Sequence, residues 1–198
     1  YATSNNKINF AEEIITSSVD GAYDVHVADI DRDGDMDIIA SSMDDDSIRW
    51  FKNNGNENPS FTSAVITTSA DGARGITVVD IDGDGDLDII SASADDDTIA
   101  WYENDGAANP TFTAADIATN ADGAHDVKVA DVDGDGDLDI VSASPLDDTI
   151  AWYENDGAAN PTFTAADIAT NADGTTSVFL VDLDSDGDID ILSSSYHD

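Results

Sequence analysis

Asp29-Ile30-Asp31-Arg32-Asp33-Gly34-Asp35-Met36-Asp37 is the stretch on which the reading of this chain turns. It returns as Asp80 to Asp88, Asp131 to Asp139 and Asp182 to Asp190, each copy starting 51 residues after the last. The copying extends beyond the loops: the 26 residues from Thr98 to Gly123 are identical to those from Thr149 to Gly174. A period of this length belongs to stacked arrays, in which each unit is one supersecondary element that cannot bury its apolar face alone.

Within a repeat, short apolar runs are separated by Gly, Asn, Asp and Pro, which is strand punctuation. The third copy predicts four strands: Asp126 to Ala130, Leu138 to Ser144, Thr149 to Glu154 and Thr162 to Thr170. Ile140-Val141 in the second strand implies burial on both faces, and Trp152-Tyr153 in the third must point to opposite sides. The fourth, richest in Ala and Thr, reads as an outer strand. The expected fold is all-β, a β-propeller-type array of four-stranded blades with about four 51-residue repeats. The divisions are 1–20, the outer strand of a preceding or shared blade; 21–71, 72–122 and 123–173, three blades; and 174–198, the first half of a fourth. Asp198 falls in register with Asp147, so joining the ends leaves a gap of six positions, matching Asp148 to Tyr153. The expectation is a fragment of a longer array, or a blade shared between head and tail that another chain completes.

Charge points to what the loops do. Forty-four Asp and Glu against six Lys and Arg give a formal charge of −38, which self-repulsion opposes unless cations or salt offset it. Disorder does not fit, because 40% of the residues are hydrophobic and fall in ordered blocks. So acidic a surface repels phosphate, which excludes nucleic acid. No apolar run reaches the roughly 20 residues of a spanning helix, which excludes membrane insertion by that route. Cysteine is absent, so there is no thiolate site. Without an initiator Met or signal peptide the chain is expected to be a processed segment, and the missing signal says little about secretion.

The loop spacing selects the ion. Asp29, Asp31, Asp33 and Asp37 occupy positions one, three, five and nine; the later copies place Asp80, Asp82, Asp84 and Asp88, then Asp131, Asp133, Asp135 and Asp139, then Asp182, Asp184, Asp186 and Asp190. Calcium takes six to eight oxygens in flexible geometry, and a glycine at position six (Gly34, Gly85, Gly136, Gly187) lets the chain wrap it. By analogy with EF-hand loops, position seven (Asp35, Asp86, Asp137, Asp188) offers its carbonyl, leaving its side chain to face solvent or hold a water. Position twelve is Ala40, Ser91, Ser142 or Ser193, so the aspartate at position nine is the expected bidentate ligand. Four calcium ions, one per loop, would leave a charge of about −30.

These residues resemble the FG-GAP or VCBS-type calcium-binding repeats of integrin alpha-subunit propellers and many secreted bacterial proteins. The resemblance covers the whole chain and rests on the four loops, the strand before each (Val25-His26-Val27-Ala28, Val127-Lys128-Val129-Ala130) and the Leu-Asp-Ile-Ile/Val type of strand after it. It implies a β-propeller with calcium bridging the first two strands of each blade, in an extracellular setting. The family's Phe-Gly and Gly-Ala-Pro signatures are not evident, and its propellers usually have about seven blades.

The acidic turns Asp44-Asp45-Asp46, Asp95-Asp96-Asp97 and Asp147-Asp148 read as solvated turns before a second cation site, since consecutive residues point in different directions. Trp50-Phe51, Trp101-Tyr102 and Trp152-Tyr153 read as core packing before a sugar-stacking platform. His26, His125 and His197 fall at different repeat positions, which argues against a shared zinc or catalytic site. His125 is in register with Tyr23, Arg74 and Thr176, a variation read as drift. With no nucleophile beside a base, no enzyme is expected. The expected function is a calcium-stabilised extracellular module, structural or adhesive, self-associating head to tail or packing on neighbouring repeats. A calcium-dependent lectin is the alternative, with glycans or a cell-surface protein as partner.

Overall fold

A computed structural model describes residues 12 to 197. Residues 1–11, most of the expected outer strand, lie outside the described residues, and 12–20 form no strand. The rest is all-β, in consecutive antiparallel sheets. The first contains β1 (Ala22–Ala28), β2 (Asp37–Ser42), β3 (Ser47–Asn53) and β4 (Phe61–Thr67). The second contains β5 (Ala73–Val79), β6 (Asp88–Ser93), β7 (Thr98–Asn104) and β8 (Phe112–Ala118). The third contains β9 (Asp126–Ala130), β10 (Asp139–Ser144), β11 (Thr149–Asn155) and β12 (Phe163–Ala169), and the fourth pairs β13 (Thr175–Val181) with β14 (Asp190–Ser195). Each four-stranded sheet is a meander in chain order, which the short turn-rich connections require. Observed strand ends in the third copy differ from the predicted ones by one residue at most.

The sheets pack through their first strands, with β1 beside β5, β5 beside β9 and β9 beside β13. The hydrophobic clusters accordingly lie between sheets. One joins Ile39, Ile48 and Trp50 of the first sheet to Ile76, Ile89 and Tyr102 of the second. Another joins Ile90, Ile99 and Trp101 to Val127, Ile140 and Tyr153. A third joins Val141 and Ile150 to Val178. Adjacent residues such as Ile89 and Ile90 enter different clusters because side chains alternate across a strand, so β6 and β10 are buried along their whole length. The outer strands β4, β8 and β12 are largely exposed, as their Ala and Thr content predicts.

Polar stitches reinforce the stacking. Asp24 Oδ2 accepts the Ile76 N–H (3.1 Å), and Asp126 Oδ2 accepts the Val178 N–H (3.0 Å). At the intervening junction the equivalent residue is Gly75, whose N–H reaches the His125 carbonyl directly (3.1 Å). A Cβ on Gly75 would lie 2.8 Å from Asp126 Cα, so only glycine permits this approach.

The acidic turns are clamps, which corrects their reading as simple solvated turns. The last aspartate of each turn, Asp46, Asp97 or Asp148, accepts the N–H of Gly72, Gly123 or Gly174 (3.0, 2.8 and 2.9 Å), tying the turn to the linker into the next sheet. These aspartates adopt positive φ (53, 57 and 57°), a conformation that Asp tolerates better than most residues.

Candidate metal centre

Each nine-residue loop joins the first and second strands of its sheet. Its ninth residue begins the second strand, so Asp37, Asp88, Asp139 and Asp190 pair with Ala28, Val79, Ala130 and Val181. The glycine at position six has φ of 94, 95, 100 and 101° in the four copies, the left-handed turn anticipated from its identity. A second left-handed residue at position four, Arg32 at 57° and Ser185 at 65° among them, was not anticipated and tightens the wrap.

Backbone donors hold the carboxylates. Position one accepts the position-six N–H in every loop: Asp29 from Gly34 (3.0 Å), Asp80 from Gly85 (3.0 Å), Asp131 from Gly136 (3.1 Å) and Asp182 from Gly187 (3.1 Å). Position five accepts the position-seven N–H: Asp33 from Asp35 (3.1 Å), Asp84 from Asp86 (2.8 Å), Asp135 from Asp137 (2.9 Å) and Asp186 from Asp188 (3.0 Å). These contacts orient the aspartates toward one another. One oxygen from each of Asp29, Asp31 and Asp33 falls within 4.8 Å of the others, as it does for Asp80, Asp82 and Asp84 and for Asp131, Asp133 and Asp135. In the fourth loop the group is Asp182, Asp184 and Asp190.

Position nine therefore joins the triad in one loop and is anchored beside it in the other three. Oδ1 of Asp37, Asp88 and Asp139 accepts the N–H of Asn53, Asn104 and Asn155 (2.7, 2.8 and 2.8 Å). Burial raises the pKa of all three, Asp88 to about 7, against the opposing pull of those N–H donors. The indole N–H groups of Trp50, Trp101 and Trp152 are buried without a hydrogen-bond partner among the described residues. Position seven differs from expectation in three copies. Its carboxylate turns against a glycine of the following loop, Asp35 on Gly55, Asp86 on Gly106 and Asp137 on Gly157, where any Cβ would overlap it. Asp86 is buried as a result, and Arg32 bonds both its carboxylate (2.6 Å) and the Gly106 carbonyl (2.9 Å).

Asn53, Asn104 and Asn155, which end the third strands, were missed in the sequence. Asn104 Nδ2 donates to the Leu87 carbonyl of its own loop (3.0 Å) and to Ile30 in the loop of the preceding sheet (3.2 Å). Asn155 repeats this with Leu138 and Ile81 (3.0 and 3.2 Å). Their recurrence every 51 residues was the available signal.

The donor set suits a hard divalent cation. It is all carboxylate oxygen, and Asp31 Oδ1, Asp37 Oδ2 and Asp80 Oδ1 are buried without a hydrogen-bond partner among the described residues. In the second loop burial raises the Asp82 pKa, the Asp84 N–H opposes this, and the negative charges of Asp84, Asp80 and Glu103 add to the rise. The aromatic pairs are core: Trp50, Phe51, Trp101, Tyr102 and Tyr153 are buried and Trp152 is half-buried. At the other end of the first strands, Tyr23, Arg74 and His125 from three successive sheets converge. Tyr23 Oη lies 2.9 Å from His125 Nε2, and the Arg74 guanidinium carbon lies 5.7 Å from the Tyr23 ring centre.

Fold and site together define a tandem array of antiparallel β-sheets, each carrying one aspartate loop shaped for a cation. A family model for FG-GAP-like repeats matches residues 39–91, 88–142 and 131–193, and the chain belongs to that family. Among solved structures, a lectin of Agrocybe aegerita described as recognising non-reducing terminal N-acetylglucosamine shares the fold, with a TM-score of 0.60 and 23% identity. The match covers 88% of this chain and 48% of the lectin, so the chain spans about half its length. No curated protein matches the sequence.

Proposed function

We propose that the chain is a calcium-stabilised module of an extracellular protein, with a structural or adhesive role and no catalysis, its sheets being successive blades of a propeller. The observation that carries the reading is the recurrence of three carboxylate oxygens within 4.8 Å of one another in all four loops. Like charges that close cost folding energy unless a cation sits among them. Asp29, Asp31, Asp33 and Asp37 and their counterparts would hold calcium, with Asp35, Asp86, Asp137 and Asp188 contributing backbone and positioning. The ion would supply charge neutralisation and fix the hairpin joining the first two strands of each blade. Calorimetric titration of calcium into stripped protein at low salt, with melting followed in calcium and in EDTA, tests this. Heat of binding and a raised melting temperature are expected; no uptake together with unchanged melting overturns it.

The end sheets favour association with a further copy or repeat. Val25 is 60% exposed, whereas its counterparts Ile76 and Val127 are fully buried by a neighbouring sheet. Sedimentation over a wide concentration range in calcium should show growth beyond the monomer, and a monomer throughout excludes it.

A second reading, carbohydrate binding, is favoured by the lectin's fold together with the gathering of Tyr23, Arg74 and His125, an aromatic and polar surface that varies from repeat to repeat. Saturable, chelator-sensitive binding on a glycan array supports it, and a blank array removes it.

A further inference from the structure

The four loops are not equivalent, because the first already has a cation on its converging carboxylates. Lys52 lies on β3 opposite Thr62, and its side chain crosses to the first loop, where Nζ pairs with Asp31 Oδ2 and lies 3.2 Å from Asp33 Oδ2. Two of the three carboxylates that converge in that loop are thus engaged by an ammonium group. The residues at the same register, opposite Thr113 and Thr164, are Glu103 and Glu154. One position therefore carries a positive charge that reaches the first loop, and a negative charge in the second and third repeats. The exchange is local: Arg32, Arg49 and Lys52, three of the six basic residues in the chain, all stand in the first repeat.

We infer that Lys52 makes the first loop the weak metal site of the array, because an incoming divalent ion must displace the ammonium from between Asp31 and Asp33. This rests on the calcium reading above and departs from four equal ions. With calcium scarce, the first loop is held closed by the protein's own cation while the others require metal; with calcium abundant, Lys52 is expelled toward solvent, which its 35% side-chain exposure permits. Lysine is suited to this exchange, being a compact charge on a flexible four-carbon stem. The first hairpin is thereby less dependent on metal than its neighbours and is the last to load.

The test is calorimetric titration of calcium into the stripped full chain, for wild type, Lys52→Met, Lys52→Glu and Asp31→Asn, each first verified as folded in saturating calcium by circular dichroism. In wild type one ion should bind roughly tenfold or more weaker than the tight class, the scale of one unit charge beside a divalent ion in water. Lys52→Met should strengthen that step and Lys52→Glu should bring it into the tight class, while Asp31→Asn removes the weak step and leaves the tight ones. Indistinguishable wild-type sites, a Lys52→Met titration that superposes on wild type, or loss of a tight step in Asp31→Asn overturns the inference with the calcium reading intact. Absence of uptake in wild type overturns both.

Discussion

Asn104 joins two neighbouring loops, and removing its side chain should cost more than removing that of Asn53, its counterpart in the first sheet. Asn104 is 2% exposed and makes three side-chain hydrogen bonds: two donated to Leu87 and Ile30 carbonyls, one accepted from the Gly106 N–H (3.0 Å). Asn53 makes two, to the Met36 carbonyl (3.0 Å) and from the Gly55 N–H (3.1 Å), in a more open setting. At about 1 kcal/mol per bond, with a further penalty for carbonyls left buried without a donor, Asn104→Ala should cost roughly 3 to 4 kcal/mol. On the same scale Asn53→Ala should cost about 1 to 2 kcal/mol. The difference is the worth of the bond that crosses between sheets, and Asn155→Ala should behave like Asn104→Ala. Urea denaturation in saturating calcium, followed by circular dichroism, measures all three variants. Arrays need not unfold in a single step, so the comparison is made on the whole curve as well as its midpoint. Losses for Asn104→Ala and Asn53→Ala that agree within about 0.5 kcal/mol would refute the clamp.

Gly75→Ala should destabilise by about 1 to 3 kcal/mol, because its methyl group would wedge apart the junction between the second and third sheets; a neutral effect on thermal melting would show that the junction yields. Val127→Thr should cost roughly 1 to 3 kcal/mol while Val25→Thr stays within about 0.5, since one methyl is fully buried and the other exposed; equal effects would count against the packing described. In calcium-stripped buffer, stability should fall as pH rises from roughly 4 to 7. The buried Asp88 carboxyl, pushed up to about 7, gives the folded chain a proton affinity that the unfolded chain lacks; the benefit is full below the unfolded pKa and lost through the folded one. Differential scanning fluorimetry that shows rising melting temperature across that window contradicts this sign.

The strands and loops were legible because two local signals coincide: alternation of apolar residues, and Asp-Gly punctuation at a fixed place in each repeat. Gly34 and its counterparts could be assigned a left-handed turn from identity alone, and φ near 94 to 101° agrees. What was not legible depends on stacking. The Asn104 amide reaches Ile30, 74 positions earlier, through the arrangement of neighbouring sheets. The EF-hand analogy left the position-seven side chain to face solvent or hold a water, because nothing local relates Asp86 to Gly106 until the turn after β7 folds over it. Lys52 went unremarked in the sequence, because its reach into the first loop depends on the β3 register. Tyr23 and His125, 102 residues apart, read as drift in a linear alignment and as a contact in the fold.

The inter-sheet stitches share a property that explains how the repeat tolerates such variation. Asn104 ends on a carbonyl, Asp97 on the Gly123 N–H, and Asp24 and Asp126 on the N–H groups of Ile76 and Val178. Each fastens to main chain, which supplies a carbonyl at every residue and an N–H at every residue but proline, so these bonds do not themselves read the side chain of the partner. Position 23 and its counterparts 74, 125 and 176 are therefore free to differ, and the first three converge where three sheets meet. Burial and the neighbouring Arg74 charge lower the His125 pKa, so near neutral pH the cluster presents an uncharged imidazole, a phenol and one permanent cation. In a chain that is otherwise overwhelmingly acidic, that guanidinium is a local exception. The cluster sits at the end of the first strands remote from the aspartate loops, so the variable surface and the carboxylate groups occupy opposite ends of the same sheets.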